Sequence, residues 1–134
     1  MMHFPFEATL SHTPPMDPAL LKQDFQEADI IDIIRIGQHC LYYPGILKQR
    51  YLPYDQIQWA YLRAEENRMS MCCGRVLVDI WYLLLYAGGK QVAKIEFQKK
   101  ETAKEALAAL TGSHKHILIG YSEENKAAFH ALGA

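Results

Sequence analysis

The alternation of apolar and polar positions divides the chain into a short helix, a long series of strands and a second helical region. Leu20, Leu21, Phe25 and Ala28 are spaced as one stripe of a helix ending near Glu27, with Asp17 at its N-cap and Pro18 at its first position. From Ile30 the period changes. Ile31, Ile33 and the less regular Ile34 and Ile36 alternate with Asp32 and Arg35, which predicts one strand broken by Gly37. Cys40 to Tyr43 is a second β-rich run ended by the turn pair Pro44-Gly45; Ile46 to Leu52 is a third, and Pro53-Tyr54-Asp55 turns the chain again. Ile57 to Arg63 follows, with Trp59 and Tyr61 on one face. Glu65-Glu66-Asn67 reads as a polar loop, and Met69 to Gly74 as either a short strand or an irregular link. Val76 to Tyr86 is a long strand whose Val76, Val78, Ile80, Tyr82 and Leu84 share a face. Gly88-Gly89 is the pair expected of a tight hairpin, and Val92 to Phe97 returns with Ala93, Ile95 and Phe97 alternating against Lys94 and Glu96.

The last third takes a helical period. Thr102 and Glu105 have capping-box spacing; Ala103, Ala106, Leu107 and Leu110 form an apolar face, and Gly112 sits where a left-handed C-terminal cap is wanted. Ile117 to Tyr121 is a short strand or extended link, after which Ser122 caps a final helix with Ala128, Phe129 and Leu132 on its buried side. Ahead of the first helix, Pro5, Pro14 and Pro15 rule out a helix interior or central strand, so residues through about Asp17 form an extended arm. Such an arm is ordered only if it packs on its own domain or on a neighbouring subunit.

The passage from Cys40 to Ile57, Cys-Leu-Tyr-Tyr-Pro-Gly-Ile-Leu-Lys-Gln-Arg-Tyr-Leu-Pro-Tyr-Asp-Gln-Ile, resembles the strand, glycine turn, strand, Arg, Ile-Pro-Tyr-x-x-Ile stretch of bacterial pleckstrin-homology-like (PH-like) domains. The Gly88-Gly89 hairpin and the helix at Thr102 follow in the matching order, and the likeness covers roughly residues 30–111. The resemblance implies an α+β fold: a barrel or sandwich of about seven antiparallel strands in two nearly orthogonal sheets, closed by a helix. On that reading residues 1–29 are the proline-rich arm and short helix, 30–111 the PH-like domain, and 112–134 a strand-helix extension packed on the same domain. The helix before the first strand and the extension depart from the family pattern. The resemblance further implies a module that binds or scaffolds without catalysing, and that forms homo-oligomers.

A length of 134 residues fits one domain, and 50% hydrophobic with 22% charged residues excludes wholesale disorder. The net charge of −1 gives no electrostatic case for general nucleic-acid binding. The longest apolar run, Ile80 to Ala87, is far short of the roughly 20 residues that cross a bilayer. The start Met-Met-His-Phe-Pro carries no secretion signal, and the odd set Cys40, Cys72 and Cys73 no disulfide framework; both point to a soluble, cytoplasmic protein.

The candidate chemistry is sparse. Lys48 and Arg50, two apart, have the Lys-x-Arg spacing of phosphoinositide binders, but no second basic cluster accompanies them and Asp55 is close, so a solvated strand face is expected. His114 and His116 with Cys72 and Cys73 lack the spaced-pair pattern of zinc sites. Cys40, Cys72, Cys73 and six histidines could in principle supply a nucleophile and base, yet no motif joins them. Gly88-Gly89-Lys90 is a hairpin, without P-loop spacing. Trp59, Tyr61, Trp81, Tyr82 and Tyr86 are a dense aromatic set; most belongs to the core, and any members forced outward favour a protein interface. No catalytic residue, metal or cofactor is expected. The alternative is a small-ligand-binding protein or enzyme with a cleft beside the C-terminal extension, which would bring a histidine, a cysteine and a carboxylate together.

Overall fold

A computed structural model describes residues 6–71 and 74–132. The chain is α+β, with two mixed sheets and three helices. The first sheet has the order β1-β5-β4-β3-β2, from β1 (Phe6–Ala8), β2 (Asp29–Ile31), β3 (Ile34–Ile36), β4 (Cys40–Pro44) and β5 (Gln49–Pro53). The second has the order β8-β7-β6-β9, from β6 (Ile57–Met71), β7 (Gly74–Ala87), β8 (Lys90–Phe97) and β9 (Leu118–Ile119). Helix α1 (Pro18–Glu27) precedes β2, α2 (Lys100–Ser113) follows β8, and α3 (Glu123–Leu132) ends the described chain. β2 to β5 and β6 to β8 are antiparallel meanders, whereas the outlying β1 and β9 pair in parallel with β5 and β6. Among the described residues no strand is shared between the sheets, so no barrel closes.

Strand alternation explains the two main cores. On β4 and β5, Leu41, Tyr43 and Leu52 point between the sheets, where they meet Leu83, Leu85, Ile95 and Phe97. Ala103, Ala106 and Leu110 of α2 cover this core, and the two buried alanines let the helix approach the strands closely. The alternate positions Cys40, Tyr42 and Tyr51 point the other way, against Leu21 of α1 and Phe6 of the arm. The arm therefore packs on its own domain: Phe6 is buried, and Thr9 bonds to the Tyr51 carbonyl and the Tyr43 hydroxyl. Complete burial of Leu21 alone contributes about 1.5–3 kcal/mol.

Several local expectations are corrected. The isoleucine run is a hairpin of β2 and β3, turning at Asp32 with φ 56°, where a single strand is predicted. Ile46 and Leu47 lie at a hairpin tip, over 90% exposed, and do not open β5. Glu65-Glu66-Asn67 is strand, not loop: the β6–β7 ladder runs to Met71↔Gly74. The buried face of α1 is Leu21 and Asp24, with Leu20 turned to solvent. Helix α2 starts two residues before Thr102, whose hydroxyl bonds to the Lys99 carbonyl and Asp32, so no capping box forms; the helix then runs through Gly112. On α3 only Phe129 is buried, while Ala128 and Leu132 are exposed. Gly88 and Gly89, at φ 61° and 79°, form the expected two-residue turn, since both positions need the left-handed region.

β7 pairs with β8 only as far as Trp81↔Phe97, where β8 turns away and the Gln98 N–H donates to Asp32 on the first sheet. Seven pairs of the β6–β7 ladder, Glu65↔Ile80 through Met71↔Gly74, continue beyond that point. They make a two-stranded ribbon of about 23 Å at 3.3 Å per residue.

Candidate functional site

A groove of about 430 Å³ lies where four separate segments meet: Thr13–Met16 of the arm, Gln38 and His39, Pro53–Gln56, and His114 with His116. One side is set by Asp24, whose buried carboxylate on α1 gathers the start of β4. It accepts from the Gln38 N–H (2.7 Å), the His39 N–H (3.2 Å), the Cys40 N–H (3.3 Å) and the Tyr42 hydroxyl (2.8 Å). This is how a carboxylate tolerates burial: it receives several donors at once. Gly37 completes the junction, because a Cβ there would run into the Asp24 carboxylate and the Tyr42 ring.

The floor is Tyr54, in the 3-10 turn Tyr54–Gln56. Its hydroxyl donates to the Gly37 carbonyl at 2.6 Å, and burial pushes its pKa upward. The His114 ring stacks on it at 4.1 Å between centroids, and His116 Nε2 lies 2.8 Å from the Tyr54 carbonyl oxygen. An acceptor at that distance requires His116 Nε2 to carry the proton. Partial burial, then the neighbouring His116, lower the His114 pKa from its ordinary 6.5.

The groove brings together three histidines and Asp55 but no cysteine. Cys40 directs its thiol at the Met16 sulfur, 3.8 Å away, on the buried side of β4. Burial, with a further contribution from Asp24, pushes that thiol up to about 12, so at neutral pH it is protonated and a poor nucleophile. Cys72 and Cys73 lie outside the described residues. The His114 and His116 rings are 6.2 Å apart, and among the described residues no group of three or more His, Cys, Asp or Glu could hold a metal ion.

Lys48 and Arg50 do not converge. Lys48 lies in the exposed turn, while Arg50 is half-buried on β5 with Nε 3.8 Å from Glu7. Gly88-Gly89 stays a hairpin, with the Gly89 N–H donating to Gln58. Trp59, Tyr61, Tyr82 and Tyr86 do face outward from the second sheet, as alternation requires, but the same chain covers them. Phe129 of α3 packs on Trp59 and Tyr86, Tyr121 stacks on Trp59, and the Trp59 indole donates to the Gly120 carbonyl. Trp81 lies on the opposite face, against the inter-sheet core. Asp24, His39 and Tyr54 are the organising residues that pattern reading does not single out; their partners are mainly backbone groups, which leave no motif.

These elements define a two-sheet α+β domain whose outer aromatic face is sealed by its own C-terminal segment. The pattern of the family described as Domain of unknown function (DUF6709) matches residues 2–129, nearly the whole chain, and the protein belongs to that family. No curated protein and no solved structure matches it. No helix among the described residues is long and apolar enough to cross a membrane.

Proposed function

We propose that this chain is a non-enzymatic binding or scaffold module of PH-like architecture, acting through protein–protein contacts and self-association. The architectural part of the reading draws on element order: a four-stranded meander, a three-stranded meander and then a helix laid over the inter-sheet core. The Cys40–Ile57 passage that carries the resemblance spans β4, β5 and the 3-10 turn. The observation that carries the functional part is the β6–β7 ribbon. An isolated two-stranded hairpin is marginal in water, because it has two open edges and little apolar cover. A ribbon of this length is therefore best suited to pairing with another protein surface. Light scattering on the purified protein tests self-association. A mass above the monomer's 15.4 kDa is expected, and a strictly monomeric protein refutes it.

A second reading, a small polar ligand in the groove, is favoured by the convergence of His39, His114 and Asp55 from separate segments. NMR titration of the histidine rings against small carboxylates and phosphates tests it; unchanged spectra at millimolar additive reject it.

A further inference from the structure

A second concavity lies between the two sheets, where the β4–β5 hairpin faces β8, the last strand of its sheet. It measures about 250 Å³, and its apolar lining includes Ile33, Tyr43, Pro44, Val92 and Ile95. A bulge brings Val92 there. The β7–β8 register passes from Leu85↔Ala93 to Tyr86↔Gln91, so Val92 has no opposite residue and packs on the inter-sheet core beside Ala93. Lys94 and Glu96 stand opposite Leu84 and Tyr82 on the outer face of the sheet, where Lys94 bonds to Glu65; they line the cleft with edge backbone. Arg50 is different. It pairs with Tyr43 and shares that residue's inward face. Its Nε is buried and, among the described residues, has no hydrogen-bond acceptor; the Glu7 carboxylate is 3.8 Å away, beyond hydrogen-bond reach. A buried N–H of this kind is costly unless a group from outside the chain accepts from it.

We infer that this cleft binds a small amphiphilic carboxylate, whose charged end accepts from the Arg50 guanidinium while its aliphatic tail lies between the sheets. The planar guanidinium matches a carboxylate with two parallel N–H donors. Among the described residues lining the cleft, Arg50 is the one cation on the inward face, which suits a single negative charge better than a phosphate. Aliphatic side chains dominate the lining, so the tail is an alkyl chain. Its length follows from the volume. An apolar cavity of about 150 Å³ holds one benzene, so 250 Å³ has room for roughly ten non-hydrogen atoms, the size of octanoate. The Glu7 side chain is 55% exposed, so its carboxylate can turn toward water as the ligand arrives. The cleft shares no lining residue with the histidine groove, and the inference does not rest on self-association.

NMR titration of the full chain with sodium octanoate tests the site. Saturable shifts are expected at the amides of Tyr43, Arg50 and Val92 to Ile95, and not at the groove histidines. From butyrate to octanoate the affinity should rise by up to about fourfold per methylene, then level off for chains that outgrow the cleft. Arg50→Gln should weaken octanoate roughly tenfold or more, the loss of a charge-assisted pair, while 1-octanol, which has the tail without the charge, binds both proteins alike. Ile33→Asp, at a residue already 47% exposed, sets a negative charge at the rim and should weaken octanoate. Glu7→Gln removes the competing carboxylate and should tighten it. Thermal melts check that each variant is folded, and the chain-length series on the wild-type protein decides the case without any variant. The inference is overturned by an absence of saturable shifts, by shifts confined to the groove histidines, by affinity indifferent to chain length, or by a folded Arg50→Gln protein that binds octanoate as the wild type does.

Discussion

Replacing Asp24 with alanine removes the acceptor that ties α1 to the beginning of β4. Four donors lose their partner: the N–H groups of Gln38, His39 and Cys40, and the hydroxyl of Tyr42. Gln38 and His39 are exposed, so water can replace the carboxylate there. Cys40 and Tyr42 have no measurable exposure, so the Cys40 N–H stays unpaired and the Tyr42 hydroxyl keeps only its long 3.4 Å contact with the Leu21 carbonyl. Hydrogen bonds to a charged group are worth about 1.5–3 kcal/mol each, so weakening these two costs about 3–6 kcal/mol. For 134 residues the unfolding entropy is about 0.28 kcal/mol/K, which makes the expected drop in Tm about 11–21 °C. Urea and thermal unfolding at neutral pH measure it. Tyr42→Phe removes one donor and leaves Asp24 its three backbone donors, so about 1.5 kcal/mol is expected. The double variant should fall short of the sum by a similar amount, because both changes delete the same bond. A loss under about 1 kcal/mol for Asp24→Ala, or strict additivity, would refute the account of Asp24 as the organising acceptor.

Phe129→Ala should free α3 from the second sheet at a cost of about 3 kcal/mol, with tryptophan emission shifting to the red as Trp59 meets water; unchanged emission contradicts this. Alkali should weaken the fold through Cys40. The folded thiol holds its proton until about pH 12 while the unfolded thiol releases it near 9.0, so stability present below 9 falls as pH rises through that window. Cys40→Ala should flatten the slope of the urea midpoint against pH there, and an unaltered slope excludes Cys40 as its source. For His114 the sign is reversed. A folded pKa below 6.5 stabilises above 6.5 and that contribution is lost as pH falls through the folded value; an NMR titration midpoint at or above 6.5 contradicts the stacked, partly buried ring.

Elements whose residues were constrained by a single neighbour were legible in the sequence. Gly88-Gly89 has one good conformation between two apolar strands, and Asp17-Pro18 marks a helix start whose carboxylate does accept from the Ala19 N–H. The β6–β7 ribbon was hidden because Glu65-Glu66-Asn67 is polar without alternation, so it looks like loop although its backbone pairs with β7. The β2–β3 hairpin was hidden because its turn rests on Asp32 alone, and Asp32 is held by Gln98 and Thr102 far along the chain. The groove could not be read from spacing. Its walls come from four segments up to a hundred residues apart, and its central bonds run to backbone groups that every residue possesses.

The two parallel pairings also bear on the order in which the protein forms. Each meander closes through turns of a few residues, so its contacts are cheap in chain entropy. β1 must wait for β5, with Phe6 opposite Gln49, and β9 must return to β6, with Leu118 opposite Trp59. Both terminal strands therefore dock onto sheets that already exist, late in folding and early in unfolding. Their contacts act as a brake on the escape rate of the native state, while the speed of folding is set by the meanders between them.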